Sequence, residues 1–186
     1  AHGHRSLKST TTGANNTALG SCAIYCNLTG DTNTAVGFRA GLNVTTGVQN
    51  TIVGALAGDA LVDADYNVAI GKSALTTDTY GSRSVAIGTD ALANQNFTTA
   101  TDTYNTAVGH AAGSAVTTGT HNTLIGGRAG DALDVGNSNV AIGSSALSAD
   151  TKGDKNIAIG VAALEVQNFT TTTDSYNIAI GHSAGA

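Results

Sequence analysis

A five-residue motif returns ten times along this chain, and that repetition constrains the fold more than any other feature. One copy is N-T-A-V-G at residues 33–37. The motif glycines are separated by 17 residues four times, by 21 once, by 17 three times and by 21 once more. So short and constant a period is typical of a solenoid, in which each repeat forms one coil. The ten glycines are Gly20, Gly37, Gly54, Gly71, Gly88, Gly109, Gly126, Gly143, Gly160 and Gly181.

Within one coil, the pattern N-[TVI]-A-[VIL]-G alternates in character and predicts a short strand with two opposed faces. Alanine stands three residues after every motif glycine and predicts a second strand or a bend. Another glycine, seven residues before most motif glycines, predicts a return turn that needs a positive φ. A helix does not fit into such a coil.

The predicted fold is therefore all-β: a parallel β-roll, or β-solenoid, of about ten coils over residues 13–186, with residues 1–12 as an irregular leader. Coils stacked about 4.8 Å apart would make a rod about 45–50 Å long. The motif asparagines should form a ladder of side-chain amides along the stack, and Ser84 is the exception.

A longer repeat of 72 residues lies above the short one, because residues 38–109 align with residues 110–181. Where the second motif residue is Thr, the residue four places after the motif glycine is Gly; where it is Val or Ile, that residue is Leu. This rule holds through the two blocks and fails in the last coil. We interpret it as packing between two strands of a coil, with bulky side chains meeting each other.

Composition excludes several classes of function. Charged residues make up 11% of the chain and the net charge is −5, so there is no basic patch for nucleic acid or anionic lipid. No run of about 18 apolar residues predicts a membrane span. No Ser, His and Asp signature and no phosphate-binding loop is present. We predict that the protein is not an enzyme and uses no cofactor.

The two faces of the motif strand predict self-association. The fourth motif residue, always Val, Ile or Leu, is expected to point into the coil, so the third points outward. The outward row would be an apolar stripe that is buried against other copies in a homo-oligomer. The alternative is that small Ala methyls are tolerated at the surface. The predicted stripe is Ala18, Ala35, Ile52, Ala69, Ala86, Ala107, Leu124, Ala141, Ala158 and Ala179.

Two near-identical inserts in the 21-residue steps, residues 96–104 and 168–176, are the predicted contact loops for a glycan or protein receptor. Each brings Phe and Tyr to a chain with only 4% aromatic residues. The alternative is that Phe97 and Phe169 fill a widened coil. The candidate contact residues are Asn96, Phe97, Thr98, Asp102, Tyr104, Asn168, Phe169, Thr170, Asp174 and Tyr176.

The motif and its T-T-G turns, at residues 45–47 and 117–119, resemble two families. One is the head domain of YadA-type trimeric autotransporter adhesins, and the other is the repeat shaft of phage tail fibres. The resemblance implies a left-handed β-roll in a parallel homotrimer, exposed outside the cell or on a virion, that serves attachment. The 17-residue period is longer than adhesin heads usually show, which favours the fibre comparison.

Two other functions are compatible with the same fold. The rods could stack end to end as an extracellular filament. A rank of Thr17, Thr34, Thr51, Thr106 and Thr123 could bind ice, although Val68, Val85 and Val140 interrupt it.

Possible metal and thiol chemistry is confined to a few residues. His2 and His4 resemble the H-x-H iron sites of some trimeric fibres, and the alternative is a disordered leader. A structural calcium ion is a further possibility at Asp59, Asp63, Asp65, Asp131 and Asp134, although the nonapeptide calcium pattern is missing. Cys22 and Cys26 could be free or bonded; in an extended chain their Cα atoms would be about 13 Å apart, so a bond requires a bend.

Overall fold

The computed structural model describes residues 1–186 and contains strands and turns but no helix. Ten three-residue strands form one parallel sheet in the order β1-β2-β3-β4-β6-β8-β9-β10-β12-β14, while β5 pairs with β7 and β11 with β13. The prediction of a β-solenoid of about ten coils is confirmed. The strands are β1 Thr17–Leu19, β2 Thr34–Val36, β3 Thr51–Val53, β4 Val68–Ile70, β5 Gly81–Ser82, β6 Val85–Ile87, β7 Thr101–Asp102, β8 Thr106–Val108, β9 Thr123–Ile125, β10 Val140–Ile142, β11 Gly153–Asp154, β12 Ile157–Ile159, β13 Thr173–Asp174 and β14 Ile178–Ile180.

Equivalent motif residues pair along the whole stack. Thr34 faces Thr51, for example, and Thr51 in turn faces Val68. The segment after each motif glycine was predicted to be a second strand or a bend. It is a series of turns. These turns also stack, since the Gly41 N–H donates to the Ala57 carbonyl at 2.9 Å. Every coil is therefore bonded to its neighbours through turns as well as strands.

The predicted orientation of the strand faces is wrong. All ten residues of the predicted stripe are buried inside the coil, with at most 7% of their surface exposed. The first and third residues of each strand point outward instead, and we call these two rows the outer stripe. The reason is volume, because a coil this narrow accommodates an Ala methyl behind the strand more readily than ten Val or Ile side chains. The corrected residues are Ala18, Ala35, Ile52, Ala69, Ala86, Ala107, Leu124, Ala141, Ala158 and Ala179.

The interpretation of the Gly and Leu alternation is also wrong, because the second motif residue faces outward. The residue four places after the motif glycine instead shares the interior with the one three places later. Coils with Gly at the first of these positions have Val44, Leu61, Val116 or Leu133 at the second, and coils with Leu have Asp or Gln. At Gly113 a Cβ would lie 2.6 Å from Cδ1 of Leu124. The alternation therefore places one branched aliphatic side chain at these two interior positions in each of these coils.

The asparagine ladder is present, but most of its bonds differ from the prediction. Only three motif amides donate to the neighbouring motif amide, whereas most donate to the backbone of the next coil. The Asn50 Nδ2–H donates to Asn33 Oδ1 at 3.0 Å and to the Ala64 carbonyl at 2.7 Å. Asn50 Oδ1 accepts the Asn67 backbone N–H at 2.9 Å. Buried backbone groups that no strand reaches are satisfied in this way.

The predicted irregular leader follows the path of a coil. His2 pairs in parallel with Leu19, and its carbonyl accepts the Gly20 N–H at 2.8 Å. Gly3 has a φ of 137°, as the motif glycines do. Residues 1–12 thus stack on the first complete coil because they repeat its glycine at the 17-residue spacing.

The return-turn glycines do not have the positive φ that was predicted. The left-handed residue lies two places later, as at Thr32 after Gly30, with a φ of 57°. Gly30 is needed for space instead, since a Cβ there would lie 2.7 Å from Oδ1 of Asn27.

Candidate functional site

The two inserts emerge from equivalent 21-residue coils and are anchored by short strands. Gly81 pairs with Thr101 in one insert, and Gly153 pairs with Thr173 in the other. The four extra residues in each coil therefore form a bulge directly before an added strand. The two inserts lie four coils apart, which is about 19 Å along the stack.

A buried polar network supports the first insert. Asp78 accepts hydrogen bonds from the Phe97 N–H at 3.0 Å and from the Gln95 Nε2–H at 2.6 Å. Gln95 also donates to Ser84 Oγ at 2.9 Å and accepts from Asn105 at 2.9 Å. All of these side chains are buried. Ser84 replaces the usual motif asparagine at the place where Gln95 enters the ladder.

The same network recurs beneath the second insert. Asp150 accepts from the Phe169 N–H at 3.1 Å and from Gln167 Nε2 at 2.7 Å, and Asn177 donates to Gln167 Oε1 at 2.7 Å. Asn156 keeps the motif asparagine here, and Ser175 donates to it at 2.8 Å. The duplicated insert thus depends on a duplicated Asp–Gln pair, which sequence reasoning missed. Their shared position, seven residues after a motif glycine, would have revealed both.

An ion pair connects an exposed aspartate of each insert to a basic residue in the preceding coil. Arg83 Nε lies 3.0 Å from Asp102 Oδ1, and Lys155 Nζ lies 2.7 Å from Asp174 Oδ2. Tyr176 Oη donates to the same Asp174 oxygen at 3.1 Å. The hydrogen bond from Lys155, followed by that from Tyr176, holds the pKa of Asp174 below its ordinary value.

Exposed planar side chains stack beside the first insert. In four successive coils, the residue directly before the first motif residue is exposed and has a φ between 51° and 64°. These residues are Tyr66, Arg83, Tyr104 and His121. We call these four residues the tyrosine–arginine column. The Arg83 guanidinium carbon is 4.7 Å from the Tyr66 ring centroid, and the Tyr104 and His121 ring centroids are 5.2 Å apart. The column presents ring edges, a phenol, a guanidinium and an imidazole to solvent.

The predicted contact residues divide into exposed and buried sets. Phe97 is only 8% exposed and fills the widened coil, as the alternative prediction held, while Phe169 is half-buried. Asn96 is half-buried and accepts from Thr79 at 3.2 Å. The exposed set is Thr98, Asp102, Tyr104, Asn168, Thr170, Asp174 and Tyr176. Sequence reasoning missed Tyr66, Arg83, His121 and Lys155, which the position before the motif would have identified.

The candidate calcium ligands hold neighbouring coils together. Asp63 accepts from Thr46 Oγ1 at 2.7 Å, and Asp65 accepts the Val48 N–H at 2.8 Å. Asp59 accepts from Thr76 Oγ1 at 2.7 Å. No group of three or more His, Cys, Asp or Glu side chains converges anywhere in the chain.

His2 and His4 are exposed in the first turns of the stack. His2 continues the outer row that contains Leu19. Cys22 and Cys26 are free thiols on one series of turns, and burial raises the pKa of Cys26.

Comparisons with known protein families, curated proteins and solved structures found no match to this chain. None of its elements is a helix with the length and hydropathy to span a lipid bilayer.

Proposed function

We propose that this chain is a segment of an extracellular structural and adhesive rod, an adhesin head or a tail-fibre shaft, that works as a parallel homotrimer. It attaches its parent cell or particle to a glycan or protein on another surface. The proposal assigns no catalytic chemistry to the chain.

The outer stripe is the observation that carries this proposal. Nearly all of its residues are Thr, Val and Ile, arranged in two rows along ten strands of one parallel sheet. On the interior strand β9, Ile125 is 37% exposed, and most other residues of the stripe are half-buried. A continuous apolar sheet face is the kind of surface that proteins bury against a partner. Because every coil repeats it in register, a second copy in parallel orientation would match it along its full length.

The inserts and the tyrosine–arginine column are the proposed attachment surface. Tyr66 and Tyr104 are 45% and 50% exposed, and Tyr176 is 62% exposed. Tyr and Arg are the residues most often found at the centre of recognition surfaces. The two inserts are anchored on Asp–Gln networks, which preorganises them and lowers the entropy lost on binding.

Sedimentation tests the oligomeric state. The wild-type chain should sediment as a species of three times 18.3 kDa. Ile87→Asp places a carboxylate in the outer stripe and should shift the population toward the monomer. Thr77→Asp, at an exposed turn, is the matched control and should leave the oligomer intact. A wild-type monomer at every concentration would contradict the proposal, and growth with concentration into longer particles would favour the filament.

Attachment is tested on glycan and protein arrays with the intact rod. Tyr104→Asn and Tyr176→Asn should lower binding at least tenfold when combined, while Ser138→Asn in the same row should leave it unchanged. Asn is suited to the left-handed backbone of these sites, as Asn15 shows with a φ of 58°. An equal signal from all variants would exclude this surface as the contact.

Ice binding is the second candidate, and the outward orientation of the threonine rank favours it. Thr17, Thr34 and Thr51 pair in register and point away from the coil. Val68 still interrupts the rank in the next coil. Thermal hysteresis that is abolished by Thr34→Tyr would support this candidate over the adhesive rod.

A further inference from the structure

An open groove lies across the first coils, away from both inserts. Its volume is about 420 Å³, within the range of small-molecule sites. Aromatic, aliphatic, cationic and thiol side chains share its walls. They include Arg5, Cys22, Tyr25, Cys26, Phe38 and Arg39.

The aromatic wall is not required by the solenoid. Tyr25 stands five residues after a motif glycine and Phe38 one residue after the next, and most other coils carry small or polar residues at these positions. At the position of Phe38, for example, the preceding coil has Ser21 and the following coil Ala55. Phe38 is nevertheless 54% exposed. Phe38 and Tyr25 line the same groove, and an apolar cluster that the fold does not need is the kind of patch that marks a binding site.

The cations of the groove are arranged around its centre. Arg5 and Arg39 occupy the same position as Cys22 in the coils on either side of it, each 17 residues away. Nη2 of Arg39 lies 3.5 Å from Asp59, but its buried Nε has no hydrogen-bond partner. An unsatisfied buried donor is rare in a native protein, so this N–H needs a partner from outside the chain, either water or a ligand.

The charge around the groove differs from that of the rest of the rod. Residues 1–58 contain three basic side chains and one acidic one, whereas residues 59–186 contain five basic and twelve acidic. The groove thus lies in a net-positive stretch of an acidic chain, with Asp59 paired to Arg39 at its edge. This field favours an anion over a cation or a neutral ligand.

We propose that the groove binds a small amphipathic organic anion, an aromatic or aliphatic carboxylate or sulfonate. The acid group would accept from the Arg39 and Arg5 guanidinium groups, and the apolar body would lie against Tyr25 and Phe38. This inference does not depend on the adhesive function, and it holds for a monomer or an oligomer.

Fluorescence titration with 8-anilinonaphthalene-1-sulfonate tests the proposal. One saturable site per chain is expected, and N-phenyl-1-naphthylamine, which lacks the sulfonate, should bind about tenfold more weakly. Arg39→Gln should weaken binding of the sulfonate about tenfold as well. Arg128→Gln is the matched control: Arg128 also has a left-handed φ and also lies 3.5 Å from an aspartate, Asp131.

The two cysteines provide a second readout, because they are the only thiols in the chain and both line the groove. The sulfonate should slow their alkylation by iodoacetamide, with half-protection at the concentration that half-saturates the fluorescence. Phe38→Ser, which copies Ser21 of the preceding coil, should weaken the binding of both dyes. This variant tests the groove independently if Arg39→Gln does not fold. Binding that all of these variants retain, or that leaves the thiols unprotected, would place the dye elsewhere and overturn the proposal.

Discussion

At the residue scale, the motif glycines have the most demanding backbone in the chain. Their φ values lie between 129° and 141°, a region that residues with a side chain rarely adopt. All except Gly181, in the last coil, also lie against the glycine of the next coil, so that a Cβ has no room. The repeat therefore keeps glycine at this position for both conformation and space.

Two adjacent glycines, one with both constraints and one with neither, test this requirement. Gly126→Ala places a Cβ 2.5 Å from the Gly143 carbonyl oxygen at a φ of 136°, and it should destabilise the rod by at least about 1–3 kcal/mol. Gly127→Ala meets nothing within 4 Å and should change stability by less than about 0.5 kcal/mol. Urea unfolding followed by circular dichroism compares them. Equal midpoints would refute the steric role of the motif glycine.

The ladder asparagines give a second prediction at this scale. Asn122 donates to the Gly136 carbonyl at 2.8 Å and accepts the Asn139 N–H at 2.9 Å. Asn122→Ala leaves both groups buried and unpaired, so it should cost about 2–5 kcal/mol. The exposed neighbouring change His121→Asn should cost under about 0.5 kcal/mol in the same unfolding experiment. A loss for Asn122→Ala as small as that of its neighbour would show that water replaces the amide.

The structural role of a residue could be predicted from the sequence when the residue recurs in every coil. The asparagine ladder and the motif glycines were visible because ten copies impose one requirement. The direction of Ala35 and Val36 was not, because both faces of the strand are apolar and periodicity alone cannot identify the inner one. The left-handed φ of Tyr66 was hidden too, because tyrosine carries no signal for that conformation.

At the scale of elements, the first insert is a loop that is stabilised by a buried hydrogen-bond network in the coil below it. Asp78 satisfies the Gly81 and Phe97 N–H groups and the Gln95 amide, all of them buried. The sequence showed the insert from its length and its aromatic residues. The pair below it was visible only through a shared position, seven residues after a motif glycine, because Asp78 and Gln95 lie in different coils and are joined only by stacking.

Removing the Asp78 carboxylate should therefore loosen the first insert. Asp78→Ala leaves several buried donors unpaired and should cost more than about 3 kcal/mol. Gln95→Ala should cost less, and the double variant should cost less than the sum of the two because they share a bond. The exposed change Thr99→Ala is the control. Strict additivity in unfolding would mean that the two side chains act independently.

The second insert should respond to acid. The pKa of Asp174 is lowered in the folded state, so its contribution is present above the unfolded pKa, near 4, and is lost as pH falls through the folded value. Amide exchange at Thr173 and Ser175, whose N–H groups donate to the coil before, should therefore accelerate as pH falls below about 4, after correction for the intrinsic rate. Lys155→Gln should remove most of this pH dependence. An unchanged profile in that variant would show that the ion pair does not hold the insert.

At the scale of the whole molecule, each coil contacts only the coils above and below it. The ten-stranded sheet, the asparagine ladder and the stacked turns all join nearest neighbours. Stability in such an array is approximately a sum of coil and interface terms. The overall architecture was therefore the part most readily predicted from sequence, since one coil and its period specify the rest.

The 72-residue block has a consequence for how such a rod can grow. Because its interior volume, its ladder and its insert return in phase after four coils, duplicating the block would lengthen the molecule without creating a new junction. Each duplication would add one more copy of the proposed contact loop at a fixed interval of about 19 Å. Weak binding sites held at a fixed spacing on one rod raise each other's effective concentration. The length of the rod and its avidity for a surface would therefore increase together.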